Sequence, residues 1–348
     1  MNCANFVANG AHWRHLGPAV LTRGRAGGFD CGVVGDPCIV WDPEIANWRM
    51  FYFAAGDQFS SVATGVAIAR SPKHVDAGDW VRTGRLPIEG PHAALCHKFW
   101  VLMDPHTPGQ AACVGDEYVG FFTSLYDGAK VICRARARSL SGPWHSDGAP
   151  VIAKGSQAAF DGRGADAVTA YWFADRGRIL LFYMAYPAEP QSEQPLSPLG
   201  PCQAVALLDP MQSEAEKLGP ILRPGSAARH WCSGWIGGLQ LLPTADPQWV
   251  ALINGSATPV YEGHGEPDPS VGGWARCDEA FPVSGWKFDL KQSPIELPSQ
   301  LSIAAKQHGE STNLWRHYLL VLPDERARIY YNSGTYGAEQ LYARVWHV

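Results

Sequence analysis

The 348-residue chain is short of charge: only 18% of its residues are Asp, Glu, Lys or Arg, the formal net charge is −5, and no basic block occurs. Nucleic-acid binding relies on clustered Lys and Arg that neutralise phosphates, so this composition argues against it. No apolar run approaches the roughly 18 residues of a membrane-spanning helix. The opening MNCANFVANGAHWRH lacks a basic stretch followed by an apolar one, so no secretory signal is expected. The nine cysteines are scattered without a C-x-x-C pair. They are expected to be reduced thiols of a cytoplasmic protein, acting mostly as small buried apolar residues. Long amphipathic helix patterns are missing too, the best candidate being the brief MQSEAEKL at 211–218. The absence of G-x-x-x-x-G-K-[ST], H-E-x-x-H and G-x-S-x-G argues against a P-loop, a zinc site and an α/β-hydrolase. GEPDPSVGG (265–273) is acidic and Gly-rich but lacks the spacing of a calcium loop.

What the chain has is apolar and aromatic residues in short runs separated by Gly, Pro and Asp. Apolar residues make up 46%, enough for a substantial core. The pattern of short runs and turns predicts an all-β fold. Five units recur, at about 30–90, 95–145, 160–220, 230–290 and 308–348. Each opens on an inner strand, continues into a second strand, often rich in aromatics, and then a third such as VAIARS, VICRARA or CQAVALL. The units predict a five-bladed β-propeller in a single domain over 1–348, with 11–24 as the strand that closes the ring. Radial closure also removes exposed sheet edges. The Pro- and Ser-rich AEPQSEQPLSPLGP (188–201) reads as a surface loop within the third unit. A pair of β-sandwiches is the alternative fold.

One phrase is written twice. FDCGVVGDPCIVWD (29–42) and FDGRGADAVTAYWFAD (160–175) each start with Phe-Asp, pass through glycines to a second Asp and enter an apolar strand. In a propeller the starts of the inner strands converge on one central depression. The residues there are Asp30 and Asp36, His97 and Lys98, Asp161 and Asp166, Ser233 and Trp235, and His308, Glu310 and Asn313. A single Asp before Pro or Gly is a routine turn residue. Acids recurring at several starts are costly by like-charge repulsion and point to a site.

The layout resembles the five-bladed propeller glycosidases, namely glycoside hydrolase family 43 and the related invertases, levansucrases and mannoside phosphorylases. The phrases that carry the resemblance are GDPCIVWD with WRMFYFA, LSGPWHSDGAPV (140–151), FD…ILLFYMAY, and YYNSGTYGAEQLY (330–342). The resemblance implies a catalytic Asp on the first inner strand, where Asp36-Pro37 fits. It implies a second Asp on a middle blade, where Asp166 fits, and a Glu general acid on the blade after that. The fourth unit opens with HWCSGWIGG (230–238), which has no carboxylate. The acid is therefore expected at Glu310, then Glu266, then Glu89, with Glu262 also in range. The implied chemistry uses Asp36 as base, Asp166 as orienter and modulator, and Glu310 as acid. Asp30, Asp161, His97, Trp100, Trp235, His308 and Glu266 complete the expected substrate site, His97 or His308 doubling as an alternative proton donor. The symmetry of Asp30 and Asp161 also fits a blade-building role. The expected partner is a short oligosaccharide or glycosylated small molecule. No cofactor is expected, although some relatives hold one Ca²⁺ in the propeller channel. The missing carboxylate leaves two alternatives open: a lyase, cyclase or phosphorylase that reuses the pocket, or a carbohydrate-binding propeller without catalysis. For a phosphorylase, Lys98, Arg163 and His230 are the candidate phosphate ligands.

Overall fold

The computed structural model describes residues 2–7, 12–156, 159–188, 200–224, 231–245, 249–256, 270–295 and 314–346. His230, Glu262, Glu266, His308, Glu310, Asn313 and most of the 188–201 loop lie outside them.

The described residues contain strands and short 3-10 turns but no α-helix. After β1 (Trp13–His15) comes a sheet of β2 (Val33–Asp42), β3 (Asn47–Ala55), β4 (Val62–Ala69) and β5 (Trp80–Arg85), paired in that order. The short β6 (Ile88–Glu89) follows. Next are β7 (His97–Val101), β8 (Cys113–Val114), β9 (Glu117–Tyr126), β10 (Ala129–Ala137) and β11 (Trp144–Ser146), in which β7, β9, β10 and β11 pair in sequence. The third unit is β12 (Gly164–Phe173), β13 (Arg178–Tyr186), β14 (Cys202–Leu208) and β15 (Glu216–Leu222). The fourth is β16 (Trp235–Pro243), β17 (Trp249–Ser256), β18 (Ser270–Cys277) and β19 (Trp286–Phe288). The last is β20 (Leu314–Val321), β21 (Ala327–Ser333) and β22 (Gln340–Trp346). One parallel pairing, Lys130 with Gly164, links the second and third units into a single sheet.

Burial falls from the first strand of each unit to the last. β16 and β17 are buried throughout, and β2 and β12 leave one residue each partly exposed. These strands are covered on both faces by neighbouring sheets, so their sequences are near-continuous apolar runs such as IGGLQLLP. By contrast β5 alternates, with Trp80 buried and Val81, Thr83 and Arg85 exposed, as an outer strand with one wet face should. The helical reading of 211–218 is corrected. Asp209 Oδ1 accepts the Met211 N–H at 3.0 Å and holds a turn, and Glu216 to Leu218 open β15.

The two ends of the chain share a sheet. β1 runs antiparallel to β22, pairing Trp13 with Trp346, and Leu21 bridges to Leu341. The Trp13 ring meets Trp346 edge-on at 5.0 Å and is buried. Trp13→Ala is expected to cost about 3–5 kcal/mol, the range for deleting a large buried aromatic. Urea unfolding measures this, and a loss below about 1 kcal/mol would mean that the last sheet does not depend on β1.

Candidate active site

The first strand of every unit carries a β-bulge at the same level. The register shifts between Gly35 and Cys38, His97 and Trp100, Asp166 and Thr169, Gly237 and Gln240, and Trp315 and Tyr318. The first inserted residue has left-handed backbone each time: Asp36 (φ 44°), Lys98 (54°), Ala167 (56°), Gly238 (67°) and Arg316 (52°). Four of the five are not glycine, and that geometry costs roughly 1–2 kcal/mol at each. Bulges bend a strand and re-aim a side chain. All five residues line one cavity of about 450 Å³, within the range of small-molecule sites.

The repeated phrase therefore does not superpose as Asp36 on Asp166. Asp36 lies six residues after Asp30, and six after Asp161 is Ala167. Asp166 is the structural counterpart of Gly35, one position before the bulge. The first Asp of each phrase does superpose. Asp30 Oδ2 accepts Tyr52 Oη at 3.1 Å and Arg82 Nε at 2.8 Å, and Asp161 Oδ2 accepts Lys217 Nζ at 2.6 Å. Arg82 and Lys217 belong to β5 and β15, so each Asp ties a first strand to the outermost strand of its own sheet. Neither lines the cavity. The expectation of substrate contact by Asp30 and Asp161 is corrected to bracing.

Bulge N–H groups are met by the second strand of the preceding unit. Asn332 Oδ1 accepts Asp36 N at 2.6 Å, Thr123 Oγ1 accepts Ala167 N at 3.1 Å, and Asn254 Oδ1 accepts His317 N at 3.1 Å. At the junction of the last and first units the clasp is double, because Asn332 Nδ2 also donates to Asp36 Oδ1 at 2.6 Å. Gly35 makes room for it: a Cβ there would sit 2.2 Å from Asn332 Nδ2. The other carboxylate oxygen of Asp36 faces Arg316 Nε at 3.6 Å and Lys98 Nζ at 3.9 Å.

Asp166 lies behind this pair, fully buried. It accepts Lys98 Nζ at 2.7 Å, Lys130 Nζ at 3.2 Å and Thr123 Oγ1 at 2.8 Å. Burial alone would raise its pKa, but the charges of Lys130 and Lys98 outweigh burial and hold the carboxyl well below its ordinary value of 3.8. The stabilisation is fully present above that ordinary value and is lost only as pH falls through the lower folded value. Asp166→Asn removes the buried carboxylate that Lys98 and Lys130 share and is expected to destabilise the fold by about 3 kcal/mol in denaturant unfolding. A loss under about 1 kcal/mol would show that the two lysines do not depend on Asp166.

Glu339 closes the pocket from the loop between β21 and β22. It is 2% exposed, and its Oε2 has no hydrogen-bond partner among the described residues. Burial first, and the charge of Asp36 second, push its carboxyl up to about 7. Its carbonyl accepts Val34 N at 3.0 Å, which pins the loop beside the Asp36 strand. His97 also lines the cavity. Its Nδ1–H donates to Leu95 O at 2.8 Å, and burial lowers its pKa to about 4 against the opposing pull of Asp166. It is neutral near pH 7, so it offers Nε2 as an acceptor and is a poor proton donor.

Several expected positions are thus relocated. Trp235 lines the cavity, joined by Phe53, Trp315 and Tyr336, aromatics that the sequence reading had not selected for the pocket. Trp100 does not. It immediately follows its bulge, 4% exposed, where the first strands pack on each other, with Tyr318 and Tyr171 at 5.6 and 6.2 Å. Glu89 is on β6 at the outer edge of its sheet with a 72% exposed side chain, far from the acid role considered for it. Arg163 is exposed and does not line the cavity, whose cations among the described residues are Lys98, Lys130 and Arg316. Among the described residues, the carboxyl groups that line the cavity are those of Asp36 and Glu339. Among the described residues no group of three His, Cys, Asp or Glu side chains is arranged to hold a metal.

No family model matches the chain, and no curated protein matches it in sequence. Solved structures do. A complex of BT0996 with RGII is similar at a TM-score of 0.70 with 13% identity, over 97% of this chain and 93% of that one. A thermostable family-43 glycoside hydrolase gives 0.61 with 13% identity, over 94% and 90%. An endo-arabinase from Bacteroides thetaiotaomicron gives 0.56 with 12% identity, over 94% and 98%. At this identity the likeness is one of fold: the chain has the all-β propeller architecture of these glycoside hydrolases, as the resemblance in its sequence implied.

Proposed function

We propose that this chain is a carbohydrate-active enzyme that cleaves a glycosidic bond in a short oligosaccharide or glycosylated small molecule. The five bulged units are its blades, closed into a single five-bladed propeller by β1. One observation carries the reading: two carboxyl groups in unlike surroundings, Asp36 between cations and Glu339 buried without a partner on Oε2, line one pocket. Glycoside cleavage needs such a pair, one group to act as base or nucleophile and the other to protonate the leaving oxygen. Asp36, clasped by Asn332 and flanked by Lys98 and Arg316, takes the first role. Glu339, held near neutrality by burial and by Asp36, takes the second. It replaces Glu310, Glu266 and Glu89 as the proposed acid. Asp166 is a positioning residue that acts through Lys98, which it shares with Asp36. Trp235, Trp315 and Tyr336 present ring surface on which a sugar face can stack. The test is release of the aryl group from a panel of aryl furanosides and pyranosides by the purified protein. If no member of the panel is cleaved, the hydrolytic reading fails, and a non-hydrolytic enzyme or a binding propeller takes its place.

A further inference from the structure

The cavity is chemically divided. Polar groups gather at its bulges, where Asp36, Lys98, Arg316 and Asn332 meet. One stretch of the lining is apolar instead: Val33, Phe53, Phe59, Val62, Leu125 and Tyr336. Val33, Phe53 and Ala55 form a small apolar cluster apart from the main core, and Val62 packs against it. Where this wall opens to solvent it stays apolar, with Phe59, Leu125 and Tyr336 exposed by 37%, 46% and 48%. Large apolar side chains left to water on the lining of a cavity mark a place that a ligand covers.

The fold holds this wall in place. Phe59 follows Gln58 in a tight turn between β3 and β4, and both have left-handed backbone, φ 57° and 49°. Neither is glycine, so the turn is strained at both positions. Gly337 makes room for the ring, since a Cβ there would lie 3.3 Å from Phe59 Cε2. The Phe59 ring meets Tyr336 at 5.4 Å and Tyr336 meets Trp315 at 5.5 Å, so the wall runs into the ring surface proposed for the sugar. Lys98 Nζ lies 5.9 Å from the Phe53 ring, where the polar floor meets the wall. Tyr336 and Gly337 belong to the loop between β21 and β22 that carries Glu339, the proposed acid. The wall therefore stands on the side from which the leaving group takes its proton.

We infer that the group bonded to the sugar in this pocket is apolar, an aryl or alkyl aglycone that lies against Phe53, Phe59, Val62 and Leu125. A second sugar would present hydroxyls here, and these four side chains offer no donor or acceptor to replace the water lost. An aryl or alkyl group has no such loss and buries the wall. The branched Val62 and Leu125 also lack the flat ring face on which a sugar stacks. The inference rests on the glycoside-cleaving reading for its site and narrows the substrate to a glycosylated small molecule.

Calorimetric titration of the wild-type protein tests it. The ligands are methyl glycosides, 2-phenylethyl glycosides and disaccharides of glucose, galactose, mannose, xylose and arabinose, in both anomers. At least one 2-phenylethyl glycoside is expected to bind about tenfold or more tightly than its methyl counterpart and the matching disaccharide. The double variant Phe59→Asn, Leu125→Gln should bring that ratio to within about threefold. Asparagine suits the left-handed backbone of residue 59, and Leu125 is half exposed, so the fold has little to lose. If the double variant does not fold, Phe59→Asn is read alone and should cut the ratio by about threefold or more. Equal binding of methyl and 2-phenylethyl glycosides overturns the inference, as does tighter binding of a disaccharide, a preference that survives the variant, or no binding at all. Cleavage is scored separately on the same compounds, because methanol and 2-phenylethanol are leaving groups of similar basicity. Selective binding without cleavage of any glycoside sinks the enzyme reading and leaves the apolar subsite. Methyl and 2-phenylethyl glycosides cleaved with equal kcat/KM sink the subsite and leave the enzyme.

Discussion

Asp36→Asn is expected to lower turnover of an aryl glycoside by about 10²–10⁴-fold, the usual contribution of a positioned base. The change is chosen to leave the structure alone. Asparagine is at ease in the left-handed backbone that residue 36 adopts, and its amide oxygen still accepts the 2.6 Å bond from Asn332 Nδ2. What disappears is the negative charge between Lys98 and Arg316 and the ability to take a proton or attack carbon. Initial rates, with thermal unfolding as a check on folding, make the measurement. Turnover within about threefold of wild type would remove Asp36 from the chemistry.

Glu339→Gln carries the second large effect, and its signature is a pattern across leaving groups and pH. Substrates with poor leaving groups should lose about 10²–10⁴-fold, because they need the proton, and activated aryl substrates much less. The wild-type rate depends on the protonated form, so it should fall as pH rises through about 7, and the variant should lack that alkaline limb. The same shift has a stability sign. The folded state holds the proton up to about 7, whereas the unfolded chain releases it near the ordinary value of 4.5. Glu339 therefore adds no penalty below that ordinary value. Stability is lost as pH rises through the window, by about 3 kcal/mol above it. Glutamine removes the penalty, so the variant should be the more stable protein above neutrality and no more stable in mild acid, as urea unfolding at two pH values would show. Equal loss for all leaving groups with an unchanged pH profile would sink the acid assignment.

Much of the fold was legible because strand-and-turn cadence is local. The buried first and second strands appear as largely apolar runs, and the spacing of Gly24, Phe29 and Asp30 against Gly155, Phe160 and Asp161 repeats residue for residue. That repeat encodes a brace, since each of these Asp residues binds a cation on the outermost strand of its own sheet. The site was legible only in part. Asp36, His97, Lys98 and Trp235 lie on the inner-strand starts already marked, and all line the cavity. Trp100 was misplaced because the bulge inserts one residue and changes which side chains below it face the pocket. Glu339 was overlooked inside YYNSGTYGAEQLY, a stretch already marked for its likeness to propeller glycosidases, because nothing in a Gly-rich loop says that its Glu is buried.

The chain by itself determined an all-β architecture, its repeating units and one catalytic candidate, since these follow from periodicity, turn residues and a short phrase. Tertiary structure alone decided the charge state of the pocket. Asn332 reaches Asp36 across 296 residues, Asp166 is held ionised by lysines 36 and 68 residues away, and burial beside Asp36 pushes the Glu339 carboxyl up to about 7. Desolvation and Coulomb interactions depend on distance through space. In this fold that distance is set when the ends of the chain meet at β1 and β22 and five bulges face one another.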